Sequence, residues 1–251
     1  MSFKNKVVIV TGASSGIGAS TAVLFAKEGA DVVIVARNEI KLKKVEEDCA
    51  KVGKKPLIIK ADVSNDDDVK RIIDDTIAKY KKIDVLVNNA GIARIGTILD
   101  GSVPKIYDLL MNTNVRSVVQ LTTLAAPHLV KTKGNIVNVS SVSGITINNA
   151  EMGTYCTTKA ALSHFSRATA LELASHGVRV NIVSPGPVYT DIIENSGLDK
   201  SFEELGANTA LNNRISRPEE IADLILYLAS EKAVGITGSN FVSDNGMLLL
   251  K

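Results

Sequence analysis

Lys6-Val7-Val8-Ile9-Val10-Thr11-Gly12-Ala13-Ser14-Ser15-Gly16-Ile17-Gly18 is the stretch from which the fold can be read. Its first half is a run of β-branched apolar residues without polar alternation, the pattern of a parallel strand buried on both faces. Glycines at 12, 16 and 18 then form a turn spaced G-x-x-x-G-x-G, and Ala19 to Gly29 shows helical periodicity with a glycine stop. A strand, a glycine turn and a helix in that order let backbone approach a pyrophosphate and leave the helix N-terminus open to the anion. Gly12 suits the bend, Gly16 and Gly18 leave room at the helix start, and Ser14 and Ser15 add hydroxyls. A tight strand–helix turn with no ligand would use similar residues, but the context favours a nucleotide.

Outward from this stretch the alternation continues. Strands are expected over Asp31–Ala36, Pro56–Lys60, Ile83–Val87, Asn135–Ser140, Val178–Ser184 and Ser239–Ser243. Helices are expected over Glu39–Val52, Asp66–Lys81 with Ser64 or Asn65 as cap, Ser102 to Lys131, a segment holding Tyr155, and Pro218–Ala229. Ser102 is the expected cap of the long helix, and Pro127 should bend or loosen its last turn. Strands alternating with helices predict a Rossmann-like, doubly wound parallel sheet of about seven strands with helices on both faces. No linker or repeat interrupts the 251 residues, so a single domain is expected, with a lid segment around 190–213 near Asn195, Ser196 and Gly197.

An apolar fraction of 45% supports a substantial core, and a net charge of +2 without charge blocks argues against nucleic acid and membrane surfaces as partners. The N-terminal residues lack a signal-peptide pattern, and no apolar run has the length of a membrane span. Two distant cysteines, Cys49 and Cys156, offer no metal site and fit a reducing, cytoplasmic setting.

Tyr155-Cys156-Thr157-Thr158-Lys159 places a phenol and an ammonium one helical turn apart on the same face. A nearby positive charge favours the phenolate, so the Tyr155 pKa is expected to fall below its usual value of about 10. Such a phenol can exchange a proton with an alcohol or carbonyl oxygen. At the end of the second strand, Ala36-Arg37-Asn38 contains no acid to bond an adenosine 2′-hydroxyl, while Arg37 can meet a 2′-phosphate. NADP(H) is therefore expected over NAD(H).

Taken together these residues resemble the short-chain dehydrogenase/reductase family in its compact branch. Thr11 to Gly18, including Ile17, is similar to the family's cofactor turn, and Asp62-Val63 to its adenine contact. Asn88-Asn89-Ala90-Gly91 is similar to the motif that supports the sheet and lines the cofactor. Pro185-Gly186-Pro187-Val188-Tyr189-Thr190 resembles the segment that closes over nicotinamide. Asn114, Ser141, Tyr155 and Lys159 match the catalytic tetrad. Ser140 is a second serine at the strand end; Ser141 is preferred because it precedes Val142-Ser143-Gly144.

The resemblance implies that Tyr155 gives or takes the proton while Ser141 bonds the substrate oxygen. It implies that Lys159 anchors the ribose and that Asn114 holds a water linked to Lys159. Arg37, Asn38, Asn89, Ala90, Gly91, Pro185, Gly186, Val188 and Thr190 are carried over as cofactor contacts. The stretch from Ser141 to Tyr155 is slightly longer than the family pattern.

Expected substrate contacts are Ser141, Ser143, Met152, Tyr189 and Ile193, with Ile192, Leu198, Phe202, Leu205 and Leu211 as further apolar wall. The substrate expected is a small apolar or amphipathic carbonyl, such as a steroid, isoprenoid, fatty-acyl or xenobiotic ketone, or the matching alcohol. The competing readings are a 3-oxoacyl-[acyl-carrier-protein] reductase and a non-catalytic dinucleotide-sensing protein. The family implies a homo-oligomer, tetramer or dimer, built through the long helices and the C-terminal strand.

Overall fold

The structure, a computed structural model, describes residues 2–194, 196–197, 204, 207 and 209–250, with backbone alone at 193 and 194. The strands are β1 Val7–Thr11, β2 Asp31–Ala36, β3 Leu57–Lys60, β4 Val85–Asn88, β5 Asn135–Val139, β6 Arg179–Pro185 and β7 Asn240–Ser243. They form one sheet in the order β3-β2-β1-β4-β5-β6-β7, with every pairing parallel.

Because successive strand residues face opposite sides, one unbroken apolar run feeds two cores. Val8, Val10, Val32, Ile34, Val85 and Val87 pack beneath α1 (Gly16–Lys27), α2 (Glu39–Val52) and α8 (Pro218–Ala229). Val7, Ile9, Val33, Val35 and Leu86 pack beneath α3 (Asp66–Tyr80), α5 (Ser117–Thr132) and α6 (Gly153–Ala174). Each such side chain contributes roughly 1.5–3 kcal/mol on burial. The chain winds from β1 outward to β3, then returns to β4 on the other side of β1. That reversal opens a crevice at the carboxyl ends of β1 and β4, where sheets of this kind bind ligands.

Several local expectations are corrected. α1 begins at Gly16, three residues earlier than the periodicity suggested, so two of the glycines lie in its first turn. Asn65, not Ser64, caps α3, accepting from Asp68 N at 3.0 Å. Ser102 occupies an N-cap position but makes no side-chain cap bond. The expected long helix is α4 (Val103–Met111), a π-helical turn over Asn112–Arg116, and α5. At the turn's end Ser117 N donates to Asn112 O, five residues back, which re-aims the side chains between them. α5 runs through Pro127 to Thr132. The Thr132 hydroxyl donates to Ile83 O at 2.7 Å and ties that last turn to the chain entering β4.

Of the expected lid around 190–213, the structure describes a short helix α7 (Asp191–Glu194), residues 196–197, 204 and 207, and the stretch from 209. Leu198, Phe202, Leu205 and the Ile193 side chain lie outside the described residues. No described helix is long and apolar enough to cross a membrane.

Candidate active site

The glycine turn is shaped by close packing. Gly12 has φ +65°, and a Cβ there would lie 2.8 Å from Ala90 Cα. Gly16 has φ +53° and faces Thr190, whose Cγ2 would be 2.7 Å from an added Cβ. Gly18 allows the first turn of α1 to press on Gly12 O, which a Cβ would approach to 2.3 Å. Thr11 joins this turn to β4: its hydroxyl accepts from Asn89 N and Ala90 N, both at 3.1 Å. Asn89 Nδ2 returns bonds to Thr11 O at 3.0 Å and Gly12 O at 3.3 Å. Asn89 and Ala90 thus hold the turn's backbone in place. The three glycines let the turn, the first turn of α1, the β4 loop and Thr190 pack closely at the crevice, the close backbone approach that a dinucleotide-binding turn requires.

Beyond the turn, Asn38 caps α2 by accepting from Lys41 N at 3.0 Å. Arg37 is largely exposed, with its guanidinium 3.7 Å from Asp62 Oδ2. Asp62 Oδ1 accepts from Ser64 N and Ser64 Oγ at 2.9 and 2.7 Å, which fixes the loop that carries Val63.

Ser141, Tyr155, Lys159 and Asn114 come together at the ends of β4 and β5 and the start of α6. Ser140 is buried, and its hydroxyl donates to Lys159 O at 3.0 Å beside Ser163 Oγ at 2.9 Å. Ser141 turns the other way: it accepts from Ser143 N at 3.1 Å and stands on the side of the Tyr155 phenol. Of the two, Ser140 is the one bonded into α6. Gly144 lets this turn lie against α6, since a Cβ there would meet the Lys159 carbonyl carbon at 2.8 Å.

Lys159 is 3% exposed; its ammonium donates to Val139 O at 2.9 Å and lies 5.7 Å from the Tyr155 ring centre. Burial pulls its pKa down to about 8. Burial also pushes the Tyr155 phenol up to about 12, against the lowering influence of Ser141. The expectation that Lys159 would depress Tyr155 is thus corrected. Desolvation disfavours both charged forms, and it outweighs any help from the neighbouring ammonium.

Asn114 sits within the π turn, fully buried. Its Oδ1 accepts from Ile92 N at 2.9 Å, and its Nδ2 donates to Ile92 O at 2.8 Å and Thr158 Oγ1 at 3.1 Å. Its amide braces the loop after β4 rather than pointing freely into the site. Gly91 fills the gap between Asn114 and Lys159; a Cβ there would lie 3.4 Å from Asn114 Oδ1 and 3.5 Å from Lys159 Nζ.

Tyr155 packs with Ala93 and Leu110, and Ile92, Ile106, Met152 and Ile192 close the cluster. Gly96 N donates to Glu151 O at 2.9 Å and binds the β4 loop to the 3-10 turn carrying Met152. Ser143 stands by the Cys156 thiol, and Tyr189 exposes half its surface. Pro185 ends β6. Gly186 N donates to Ser243 O at 2.9 Å, and Val188 bridges to Ser216. Sequence reading missed Ile92, Ala93, Ile106 and Leu110. The first two directly follow Asn88–Gly91, so their position was available. It also missed Lys41 and Asp191, whose ammonium and carboxylate lie 2.6 Å apart beside the glycine turn.

A family profile described as Enoyl-(Acyl carrier protein) reductase matches residues 12–248. The chain belongs to the short-chain dehydrogenase/reductase family. Within it, a 3-oxoacyl-[acyl-carrier-protein] reductase of Thermotoga maritima is 34% identical over 250 residues, covering 99% of this chain and 100% of the relative. A meso-2,3-butanediol dehydrogenase of Serratia marcescens is 36% identical over 248 residues, covering 98% and 96%. A short-chain dehydrogenase/reductase of unknown function from Caenorhabditis elegans, solved with cofactor, superposes with a TM-score of 0.93 at 37% identity, covering 99% and 97%. Short-chain dehydrogenases/reductases are oxidoreductases that bind a nicotinamide dinucleotide and act on small molecules.

Proposed function

We propose that this chain is an NADP(H)-dependent carbonyl reductase or secondary-alcohol dehydrogenase acting on a small apolar or amphipathic substrate. The observation that carries the reading is the burial of Tyr155 beside Ser141, with the Lys159 ammonium 5.7 Å from the phenol ring in the same buried site. When bound, the nicotinamide supplies or takes the hydride. Tyr155, protonated at neutral pH, gives its proton to the carbonyl oxygen in reduction and recovers it in oxidation. Ser141 holds that oxygen in line and stabilises the charge that develops on it. Lys159 keeps an ammonium beside the phenol and offers a bond to the ribose. Asn114 keeps Ile92 and Thr158 in register around them.

The NADP preference is supported by Arg37, exposed at the end of β2 where no acid stands within Ala36–Asn38. Asp62 opposes Arg37 only at 3.7 Å. An apolar substrate is supported by the cluster of Ile92, Ala93, Ile106, Leu110, Met152 and Ile192 around Tyr155. A cytoplasmic setting fits two buried free thiols. A homotetramer fits the exposed apolar residues Tyr107, Leu109, Leu124 and Leu171 on α4, α5 and α6.

The full-length likeness to the Thermotoga maritima relative favours a second reading, a 3-oxoacyl-[acyl-carrier-protein] reductase. The test is loss of NADPH absorbance with free ketones (steroid, isoprenoid, aromatic) and with carrier-bound 3-oxoacyl chains, with NADH in parallel. Turnover is expected with NADPH. Tyr155→Phe is expected to lose roughly 10²–10⁴-fold in rate while still binding the dinucleotide. Equal rates in the variant would overturn the mechanism; turnover confined to carrier-bound chains would decide for the second reading.

A further inference from the structure

Past β6 the chain crosses the carboxyl ends of the strands. β6 stands three places from β1 and four from β2, about 14 and 19 Å at the usual strand spacing. Yet Thr190 and Asp191 lie beside the turn after β1 and the first turn of α2. Thr190 is in contact with Gly16, and the Lys41 ammonium lies 2.6 Å from Asp191 Oδ2. The Lys41 ammonium, with a smaller contribution from Ser15, holds this carboxyl below the usual carboxylate range. Residues 186–191 therefore make a strap over the β1/β4 crevice. One end is fixed at Ser243 and Ser216. The other end is fixed by a charge pair and by the packing of Thr190 on Gly16.

We propose that Lys41 and Asp191 form a clasp that holds this strap over the cofactor's diphosphate and sets the rate at which the cofactor leaves. The inference rests on the dinucleotide reading of the glycine turn. Lys41 and Asp191 are positioning residues: they act through Thr190 and the strap. About half of the Lys41 side chain and two-fifths of the Asp191 side chain are exposed, so the pair is screened by salt. A weak, water-accessible pair suits a closure that must open at every turnover, where a buried one would hold the cofactor captive.

The test is displacement of bound NADPH, followed by nucleotide fluorescence in a stopped-flow instrument. Asp191→Asn and Lys41→Met are each expected to speed release by about 3–10-fold, the range of a single partly exposed ion pair with its hydrogen bonds. The double variant should be no faster than either single one, because both remove the same interaction. Added sodium chloride should speed release more from the wild type than from Asp191→Asn, where only the screening of the cofactor's own phosphates remains. Exchanging the charges, with Lys41→Asp and Asp191→Lys together, should slow release again; that variant decides the matter should a single one fold poorly. Unchanged release in the single variants, or rate effects that multiply in the double, would overturn the clasp while leaving the cofactor reading intact. A wild-type chain that binds neither NADPH nor NADH would overturn both.

Discussion

Ser140 and Ser141 are adjacent hydroxyls with opposite surroundings, and they should respond oppositely to removal. Ser140→Ala deletes a buried hydroxyl bonded to Lys159 O and Ser163, at a cost of about 1–2 kcal/mol in stability. Under the proposed mechanism Ser141→Ala removes a donor to the reacting oxygen and should lower kcat about 10²–10³-fold with little change in melting temperature. Urea titration and steady-state kinetics on both variants check the pair of outcomes.

Lys159 links pH to both stability and rate. Its pKa is about 8 in the folded chain and about 10.4 when unfolded. Between those values the unfolded chain holds more protons, so this group makes stability rise with pH there; below about 8 the fold bears the whole cost of the buried ammonium. Lys159→Met should therefore lose turnover, remain at least as stable as the wild type at pH 7 in urea melts, and lose that rise. In reduction the charged Lys159 is the useful form, so kcat/KM should fall as pH climbs through about 8.

Tyr155, Lys159 and the serine pair stood out in the sequence through their likeness to the family's motifs, and the fold brings them together at the start of α6. Their pKa directions were not legible, because burial of the α6 start depends on how β4, β5 and the π turn pack around it. The same limit left Ser140 and Ser141 nearly equivalent until one was seen bonded into α6.

Among the elements, the glycine turn is the most constrained. A Cβ on Gly18 would press into the Gly12 carbonyl and the Asn89 amide at 2.3 and 2.5 Å, and both neighbours are fixed by the β1–β4 bonds. Gly18→Ala should weaken dinucleotide binding at least tenfold by fluorescence titration and lower stability by about 1–3 kcal/mol. The strands and α1, α2, α3 and α8 were readable because apolar period and caps are written locally. The π turn was not, because a shift from four-residue to five-residue hydrogen bonding leaves no trace in hydrophobic period. Its consequence is nonetheless specific: it falls where Asn114 must turn inward to brace Ile92.

Across the whole molecule, β-branched runs and alternating helices sufficed to predict the parallel sheet, and its strand order is what places the crevice between β1 and β4. Surface association is harder to read, because an apolar residue on a helix declares its exposure only once the helix is packed. Leu171 on α6 is 83% exposed, with Tyr107, Leu109 and Leu124 also exposed on α4 and α5. Light scattering should find the wild type as a tetramer and Leu171→Glu as a smaller species. An unchanged mass would remove these helices from the interface.

The anchors of the strap lie far along the chain from the turn they help to cover. Gly186 seats against Asp244 so closely that a Cβ would fall 2.8 Å from its Cα, and Met247 reaches back to Asn148. During synthesis β1 to β4 can pair long before those anchors exist, leaving β4 with an open edge until β5 arrives. The dinucleotide can then stabilise only a nearly finished chain, by mass action on the assembled crevice. Early steps of folding must proceed on strand pairing and core burial alone, with the ligand acting as the final lock rather than as a template.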